Sequence, residues 1–145
     1  MSGSDESGVA RVEDSELDFD EDLIYTYRGV LFTGIGYEEV SGHGLSEISY
    51  RQGMQAGPAR DWYPSGVLKG ESYFRENVLH GPLREFDEDG NVRFEAVYEY
   101  GILVSSLRSD GSGAVVEFSE ISGDSPNFSL LERYRRERAW PTREE

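Results

Sequence analysis

Two histidines are the side chains best suited to acid–base chemistry, and neither has the neighbours that catalysis requires. His80 stands just before Gly81 in a connection between extended segments, and Ala56 takes its place twenty-four residues earlier. A lone loop histidine such as His80 or His43 is more often a surface residue than a base or a metal ligand. The sequence contains neither a Ser-His-Asp spacing nor a phosphate-binding glycine loop. We therefore predict a protein that is not an enzyme, with no catalytic residues and no cofactor.

An acidic run, Asp87-Glu88-Asp89-Gly90, superficially suggests a calcium loop. It lacks the alternating ligands and the distal glutamate of such a loop, so it predicts a tight turn instead. The chain also has no cysteine, which removes a disulfide framework and a thiolate metal site. We predict no metal site.

These residues belong to a sequence repeat. The segment 45–66 returns twenty-four residues later as 69–90. The matched pairs are Glu47/Glu71, Tyr50/Phe74, Gly57-Pro58/Gly81-Pro82, Arg60/Arg84, Trp62/Phe86 and Gly66/Gly90. A fading third copy carries Glu95 at the position of Glu71 and Arg108 at the position of Arg84, and a partial first copy carries Tyr27 and Gly34. A fixed period in the twenties indicates one small unit stacked on itself, which favours extended partner-binding surfaces over closed pockets.

Each unit has the pattern of a β-hairpin. Residues 45–50 predict one strand, and Gly57-Pro58 opens a second strand that reaches Trp62 or Tyr63. Turns at 64–66 and 87–90 end in glycine, which suits a left-handed residue beside a bulge. This register sets Arg60 opposite Glu71 and Arg84 opposite Glu95. Such opposite-charge pairs stabilise a sheet by about 0.2–1 kcal/mol each, so a structural role is favoured over a catalytic one.

We therefore predict a mainly β fold: an antiparallel β-hairpin meander of about four repeats that forms one curved sheet. Residues 1–16 form a disordered acidic N-terminal tail, residues 17–123 the meander, and residues 124–145 a C-terminal helical cap. The stretch 17–20 alternates and predicts an added edge strand. An amphipathic helix is expected from Phe128 to Trp140, ended by Pro141, and it covers an open face or end of the sheet rather than a membrane.

The formal net charge is −15. Residues 1–22 hold nine acidic side chains against Arg11 alone, whereas residues 129–145 hold five arginines against four glutamates. An acidic surface disfavours nucleic acid and anionic lipid and favours a basic protein partner, unless the charge serves solubility alone. No transmembrane run and no signal sequence is recognisable. We expect a cytoplasmic protein that is a monomer.

The unit Tyr50-x6-Gly57-Pro58-x-Arg60-x-Trp62-x3-Gly66 and its copy from Phe74 to Gly90 resemble the variant MORN repeat. More narrowly, the chain is similar to the bacterial YwqK-type antitoxin family, and residues 17–34 are similar to the start of its actinobacterial members. The similarity covers about residues 17–111. It implies a curved β-meander that binds protein without catalytic residues. Two features depart from the family pattern: Lys69 is the only lysine, and the arginine-rich helix lies outside the repeat.

Positions that differ between copies are the better candidates for recognition, since the shared positions are explained by the hairpin. Tyrosine and acidic side chains suit an interface with a basic partner. The candidate partner-binding residues are Asp61, Tyr63, Tyr73, Glu85, Asp87, Glu88, Asp89 and Tyr100. The alternative is that the tyrosines pack beneath the C-terminal helix.

Three functions fit these features. The leading one is an antitoxin or immunity-type protein that neutralises a toxin by direct binding, and the acidic charge favours a basic toxin. The second is a general protein-interaction scaffold. The third is a membrane- or lipid-associating MORN protein, which the acidic balance makes unlikely.

Overall fold

A computed structural model of the chain describes residues 3, 4 and 9–141, which form two β-sheets and a C-terminal helix. In chain order the strands are β1 Gly3–Ser4, β2 Ala10–Glu13, β3 Asp18–Phe19, β4 Tyr25–Tyr27, β5 Val30–Leu31, β6 Gly34–Val40, β7 Gly44–Arg51, β8 Met54–Trp62, β9 Leu68–Arg75, β10 Val78–Leu79, β11 Gly81–Phe86, β12 Val92–Glu99, β13 Ile102–Ser109 and β14 Val115–Glu120. A 3-10 turn covers Asp14–Glu16, and helix α1 covers Pro126–Glu137.

The large sheet follows the chain order β1-β2-β6-β7-β8-β9-β11-β12-β13-β14, with β10 paired to β9. From β6 onward every neighbouring pair is antiparallel. The prediction of a mainly β fold with a hairpin meander and a C-terminal helix is therefore confirmed. The register is also as predicted, because Arg60 lies opposite Glu71 and Arg84 opposite Glu95.

Two kinds of turn alternate along the meander. At one end of the strands, two-residue turns have positive φ at both positions, which is the type I′ geometry that matches strand twist. At the other end, Gly66 and Gly90 have φ of 93° and 87° and accompany a register shift in each hairpin. The type I′ turns are Arg28-Gly29, Gln52-Gly53, Glu76-Asn77 and Tyr100-Gly101. Their constant spacing is the structural form of the twenty-four-residue period.

The strand containing Pro58 begins earlier than predicted. Strand β8 starts at Met54, so Pro58 lies inside the strand instead of opening it. Its missing amide donor is tolerated because the pairing of β7 with β8 is irregular between Ile48 and Tyr50. The hydroxyl of Ser49, at that irregularity, donates to the Pro58 carbonyl at 2.7 Å.

The N-terminal region differs from the prediction of one sheet with a disordered tail. Strand β2 pairs in parallel with β6, and β3, β4 and β5 form a separate three-stranded sheet. The disordered assignment over residues 1–16 is wrong for residues 3, 4 and 9–16, while residues 1, 2 and 5–8 lie outside the described residues. The predicted strand at 17–20 corresponds to β3 in the small sheet.

A hydrophobic core beside β2 explains why the N-terminal segment is ordered. Val12, on β2, is 1% exposed and packs with Leu17, Phe32 and Tyr50. Acidic composition alone predicted disorder, but a parallel partner strand and one well-placed valine supply the missing hydrogen bonds and buried area.

Helix α1 begins two residues before the predicted 128–140 and ends three residues earlier, so Pro141 does not end it. Ser125 caps its N-terminus by accepting the Asn127 amide, and Pro126 occupies the first turn. Leu131 is fully buried. The helix ends at Glu137, and Ala139 takes a positive φ of 51°, which redirects the chain toward Trp140.

Candidate protein-interaction surfaces

The repeated charged pairs form a continuous ladder across the sheet. In order across β7, β8, β9, β11 and β12, its members are Glu47, Arg60, Glu71, Arg84 and Glu95. Glu71 accepts from Arg60 Nε at 3.3 Å and from Arg84 Nη1 at 2.6 Å, and its side chain is only 11% exposed. Arg11 extends the ladder from β2 by contacting Glu47 at 2.8 Å. These ion pairs account for the repeated residues by register and cross-strand stabilisation.

In the third copy, the spacing between the two ladder positions is one residue shorter than the sequence repeat predicts. Leu107, and not Arg108, lies opposite Glu95, so Leu107 occupies the ladder position of Arg84. The turn from Asp110 to Ala114 is closed by the same hydrogen bond as the turn from Asp87 to Asn91. The proposed equivalence of Arg108 with Arg84 is therefore wrong, because the copy without a Gly-Pro pair has a smaller bulge.

The opposite face of the sheet carries a groove that we call the acidic groove. Asp61 on β8 and Glu85 on β11 both lie opposite Gly70 on β9, one on either side. Both carboxylates are exposed, and two strand spacings set their backbones about 10 Å apart. The groove has a volume of about 320 Å³ and is also lined by Tyr63, Lys69, Leu83 and Phe86.

Hydrogen bonds fix the walls of the acidic groove. The Tyr63 hydroxyl donates to the Phe86 carbonyl at 2.7 Å, which holds the ring across the hairpin end. Asp61 accepts from the Ser46 hydroxyl at 2.6 Å. Three predicted contact residues, Asp61, Tyr63 and Glu85, thus line one site. Sequence reasoning missed Gly70 and Leu83, although the two-residue alternation from Glu71 and Arg84 places both on this face.

Residues 87–90 form the tight turn that the sequence predicts. Asp87 Oδ1 accepts the amides of Asp89 and Asn91 at 3.0 and 2.9 Å. These hydrogen bonds, with Arg93 nearby, hold the pKa of Asp87 below its usual value. The Asp87 carboxylate is therefore engaged within the turn, whereas Glu88 and Asp89 are exposed beside it.

Two predicted contact residues, Tyr73 and Tyr100, are covered wholly or partly by other parts of the chain. Tyr73 is only 7% exposed. Tyr100 packs beneath the C-terminal segment, stacking on Trp140 with ring centroids 5.1 Å apart and lying 5.4 Å from the Tyr134 ring. The alternative interpretation, packing beneath the C-terminal helix, agrees with these contacts of Tyr100, whose side chain is partly exposed.

This packing is part of a group that we call the C-terminal clamp, formed by His80, Glu99, Tyr100, Arg135 and Trp140. Arg135 donates to both oxygens of Glu99, at 2.8 and 2.7 Å. The Trp140 amide donates to the Tyr100 hydroxyl at 2.9 Å. The clamp connects residues 135–140 to His80, Glu99 and Tyr100 in the last two repeats.

His80 is buried at 6% exposure, which corrects the expectation of a surface histidine, whereas His43 is exposed. The Nδ1 atom of His80 accepts a hydrogen bond from the Tyr100 amide at 2.9 Å. The Nε2 atom of His80 is buried without a hydrogen-bond partner among the described residues. Burial lowers the pKa of His80, although the backbone of Trp140 and Pro141 and the charge of Glu99 oppose this shift. Burial therefore favours the neutral form of the His80 ring. It also lines a second cavity of about 410 Å³ between Arg51 and Arg75.

Within the described residues, no group of three or more His, Cys, Asp or Glu side chains is arranged to hold a metal ion. Over the same part of the chain, no helix is long and apolar enough to cross a membrane. Neither protein-family models nor curated protein sequences yield a match to this chain.

Proposed function

We propose that this chain is a non-catalytic protein-binding module of the antitoxin or immunity type, which neutralises a basic partner toxin by direct binding. The observation that carries the proposal is the acidic groove, where Asp61 and Glu85 flank Gly70 in a chain of net charge −15. The sequence resemblance to MORN-variant, YwqK-type antitoxins supports the same class.

The groove suits a basic side chain of a partner. Gly70 has no side chain, so a lysine or arginine can enter between the two carboxylates and contact both. Phe86 supplies aromatic surface that an arginine stem or guanidinium packs against, whereas the Tyr63 ring already has the Lys69 ammonium 5.7 Å from its centre. Charge complementarity of this kind raises the association rate and selects against acidic partners.

The whole-chain charge fits a toxin that acts on nucleic acid. Such a protein needs a basic surface to bind phosphates. An acidic protein that covers that surface blocks substrate binding by occlusion and by charge, and needs no catalytic residue of its own.

Affinity purification from the native host tests the proposal. The wild-type chain and a Tyr63→Ala/Glu85→Lys variant serve as baits, with partners identified by mass spectrometry. We expect one basic protein that the variant captures about tenfold less well. Glu39→Lys, on the exposed end of β6, makes the same charge change away from the groove and is expected to capture normally.

Expression of the captured partner completes the test. We expect growth arrest that co-expression of the wild-type chain relieves and the groove variant does not. A captured partner without toxicity would favour the general scaffold function instead. Undiminished capture by the groove variant would remove the acidic groove from the interface.

A further inference from the structure

The last strand of the large sheet leaves an open edge. Strand β14 pairs only with β13, and among the described residues it has no second neighbour. All six of its residues are exposed, including Val115 at 55%, Val116 at 59% and Phe118 at 60%. An exposed apolar edge strand is a template for pairing with another extended chain.

Comparison between repeats shows that this edge is unusual within the molecule. At the bulge of each hairpin the inserted residue is Lys69 in β9, Arg93 in β12 and Val116 in β14. Charged residues at such positions normally protect an edge from unwanted pairing. Strands β9 and β12 have neighbours on both sides, yet they have the charged residue at this position. Strand β14 has an open edge, and its residue there is apolar.

The charged ladder also ends here in apolar residues. Phe118 lies opposite Leu107, and these two occupy the positions that Glu95 and Arg84 hold in the preceding hairpin. Because side chains alternate along a strand, Glu120 lies on the same face as Phe118. Glu117 lies on the other face, where it contacts Arg108 at 3.5 Å. The edge therefore combines an apolar centre with acidic residues.

We propose that β14 accepts an extended strand of a protein partner, which adds a strand to the sheet. The partner strand places an apolar side chain beside Phe118 and basic side chains beside Glu117 and Glu120, while the outward-facing amides and carbonyls of β14 supply backbone hydrogen bonds. This inference rests on the proposed protein-binding function but uses a surface separate from the acidic groove.

Charge argues for a basic partner and against a second copy of this chain. Pairing two β14 strands edge to edge would bring Glu117 and Glu120 of both copies within neighbouring strand spacings, in chains that each carry −15. Like charges across strands destabilise pairing, whereas basic residues at those positions stabilise it.

A synthetic peptide tests the inference without requiring the natural partner. The probe is a capped peptide in which lysine alternates with valine and threonine, and its control has the same charge but prolines that block strand pairing. With the full-length chain, we expect the probe to bind and to slow amide hydrogen exchange in residues 115–120. The proline peptide is expected to do neither.

Variants taken from the other repeats identify the site. Phe118→Glu and Val116→Lys introduce residue types found at the equivalent inner positions, so the fold is expected to accept them. Each should weaken peptide binding by about tenfold or more, as hot-spot residues do. Because Phe118→Glu adds a negative charge, weaker binding of a basic peptide to it excludes simple charge attraction. Val30→Lys, on an exposed strand of the small sheet, is the matched control and should bind normally.

Equal or tighter binding to Phe118→Glu, or protection outside residues 115–120, would overturn the inference. So would a dimer of the chain alone, seen by sedimentation, that Phe118→Glu dissociates, because the edge would then belong to a second copy. Glu85→Lys is expected to leave peptide binding unchanged. Failure at the edge is therefore distinguishable from failure of the groove and of the proposed function.

Discussion

His80 is a buried titratable group in a protein whose other titrating residues are mostly at the surface. Burial lowers the pKa of its ring, so the folded state favours the neutral form more strongly than the unfolded chain does. Its contribution to stability is present above the ordinary value of 6.5 and is lost as the pH falls below it, toward the lowered pKa.

A pH series tests this. The free energy of unfolding of the wild-type protein is expected to decrease as the pH falls below 6.5. Urea denaturation at each pH measures it. His80→Asn keeps an acceptor for the Tyr100 amide but cannot titrate, so its curve should be flatter over this range. His43→Asn changes an exposed histidine and should follow wild type. Parallel curves for wild type and His80→Asn would contradict the argument.

Glu99 is the second such residue. The bidentate contact with Arg135 holds the pKa of this carboxyl below its usual 4.5. Its contribution is therefore present above 4.5 and is lost as the pH falls through the lowered value.

We expect Glu99→Gln to lower the free energy of unfolding by about 1–2 kcal/mol, discounted because Arg135 is partly exposed. Hydrogen exchange of the Trp140 amide should accelerate at the same time, because the clamp holds that amide on Tyr100. Glu39→Gln, on the exposed end of β6 and away from Arg135, is the control. Slow Trp140 exchange in Glu99→Gln would show that the aromatic stack alone holds the segment.

At the scale of the structural element, the type I′ turns repeat in conformation but not in surroundings. Gly29 and Gly53 both have positive φ, of 81° and 84°. A Cβ at Gly29 would meet nothing within 4 Å, whereas one at Gly53 would lie 2.9 Å from the Tyr25 carbonyl and 2.8 Å from Ile24.

This pair separates backbone strain from steric clash. Gly29→Ala is expected to cost about 1 kcal/mol, which is the strain of a left-handed alanine. Gly53→Ala should cost clearly more, because a carbonyl oxygen in a hydrogen-bonded turn cannot move aside. Denaturant midpoints of the two variants measure the difference, and equal costs would mean that the small sheet shifts to make room.

Most of the hairpin could be predicted at this scale, because strand alternation and glycine turns are local. The register of Arg60 with Glu71 follows from the position of Gly66 alone. The one-residue slip in the third copy could not be predicted, since Arg108 matches Arg84 in type and spacing. Only the pairing of Leu107 with Glu95 reveals that the bulge is smaller there.

At the scale of the whole molecule, the N-terminal strand is joined to the repeats. Val12 reaches the core, and Arg11 lies 3.9 Å from the centre of the Tyr37 ring while it contacts Glu47. The acidic segment is therefore part of the folded unit from residue 9 onward.

Val12→Ala should accordingly lower the free energy of unfolding by about 2 kcal/mol, from lost burial and the cavity left behind. Val30→Ala removes the same atoms from a side chain that is 68% exposed and should have little effect. Thermal denaturation of both variants is the measurement. Equal stability of Val12→Ala and wild type would show that β2 contributes little to the fold.

Of the candidate site, the sequence predicted the residue types and three members of the acidic groove. It could not separate Tyr63, at the groove, from Tyr73, which is buried, because both are tyrosines at non-repeated positions. Their burial depends on which face each strand presents and on what covers that face. Those contacts join residues distant in the chain.

The sequence by itself determined the hairpin unit, its charged pairs, the turn at 87–90 and the C-terminal helix, because each arises from interactions within or between adjacent segments. The tertiary structure alone decided the parallel pairing of β2, the burial of His80, and the placement of Val116 and Phe118 on an open edge. These features depend on contacts between segments that are distant in the chain. A local sequence pattern does not show which distant segments come together or how much free energy their contact contributes.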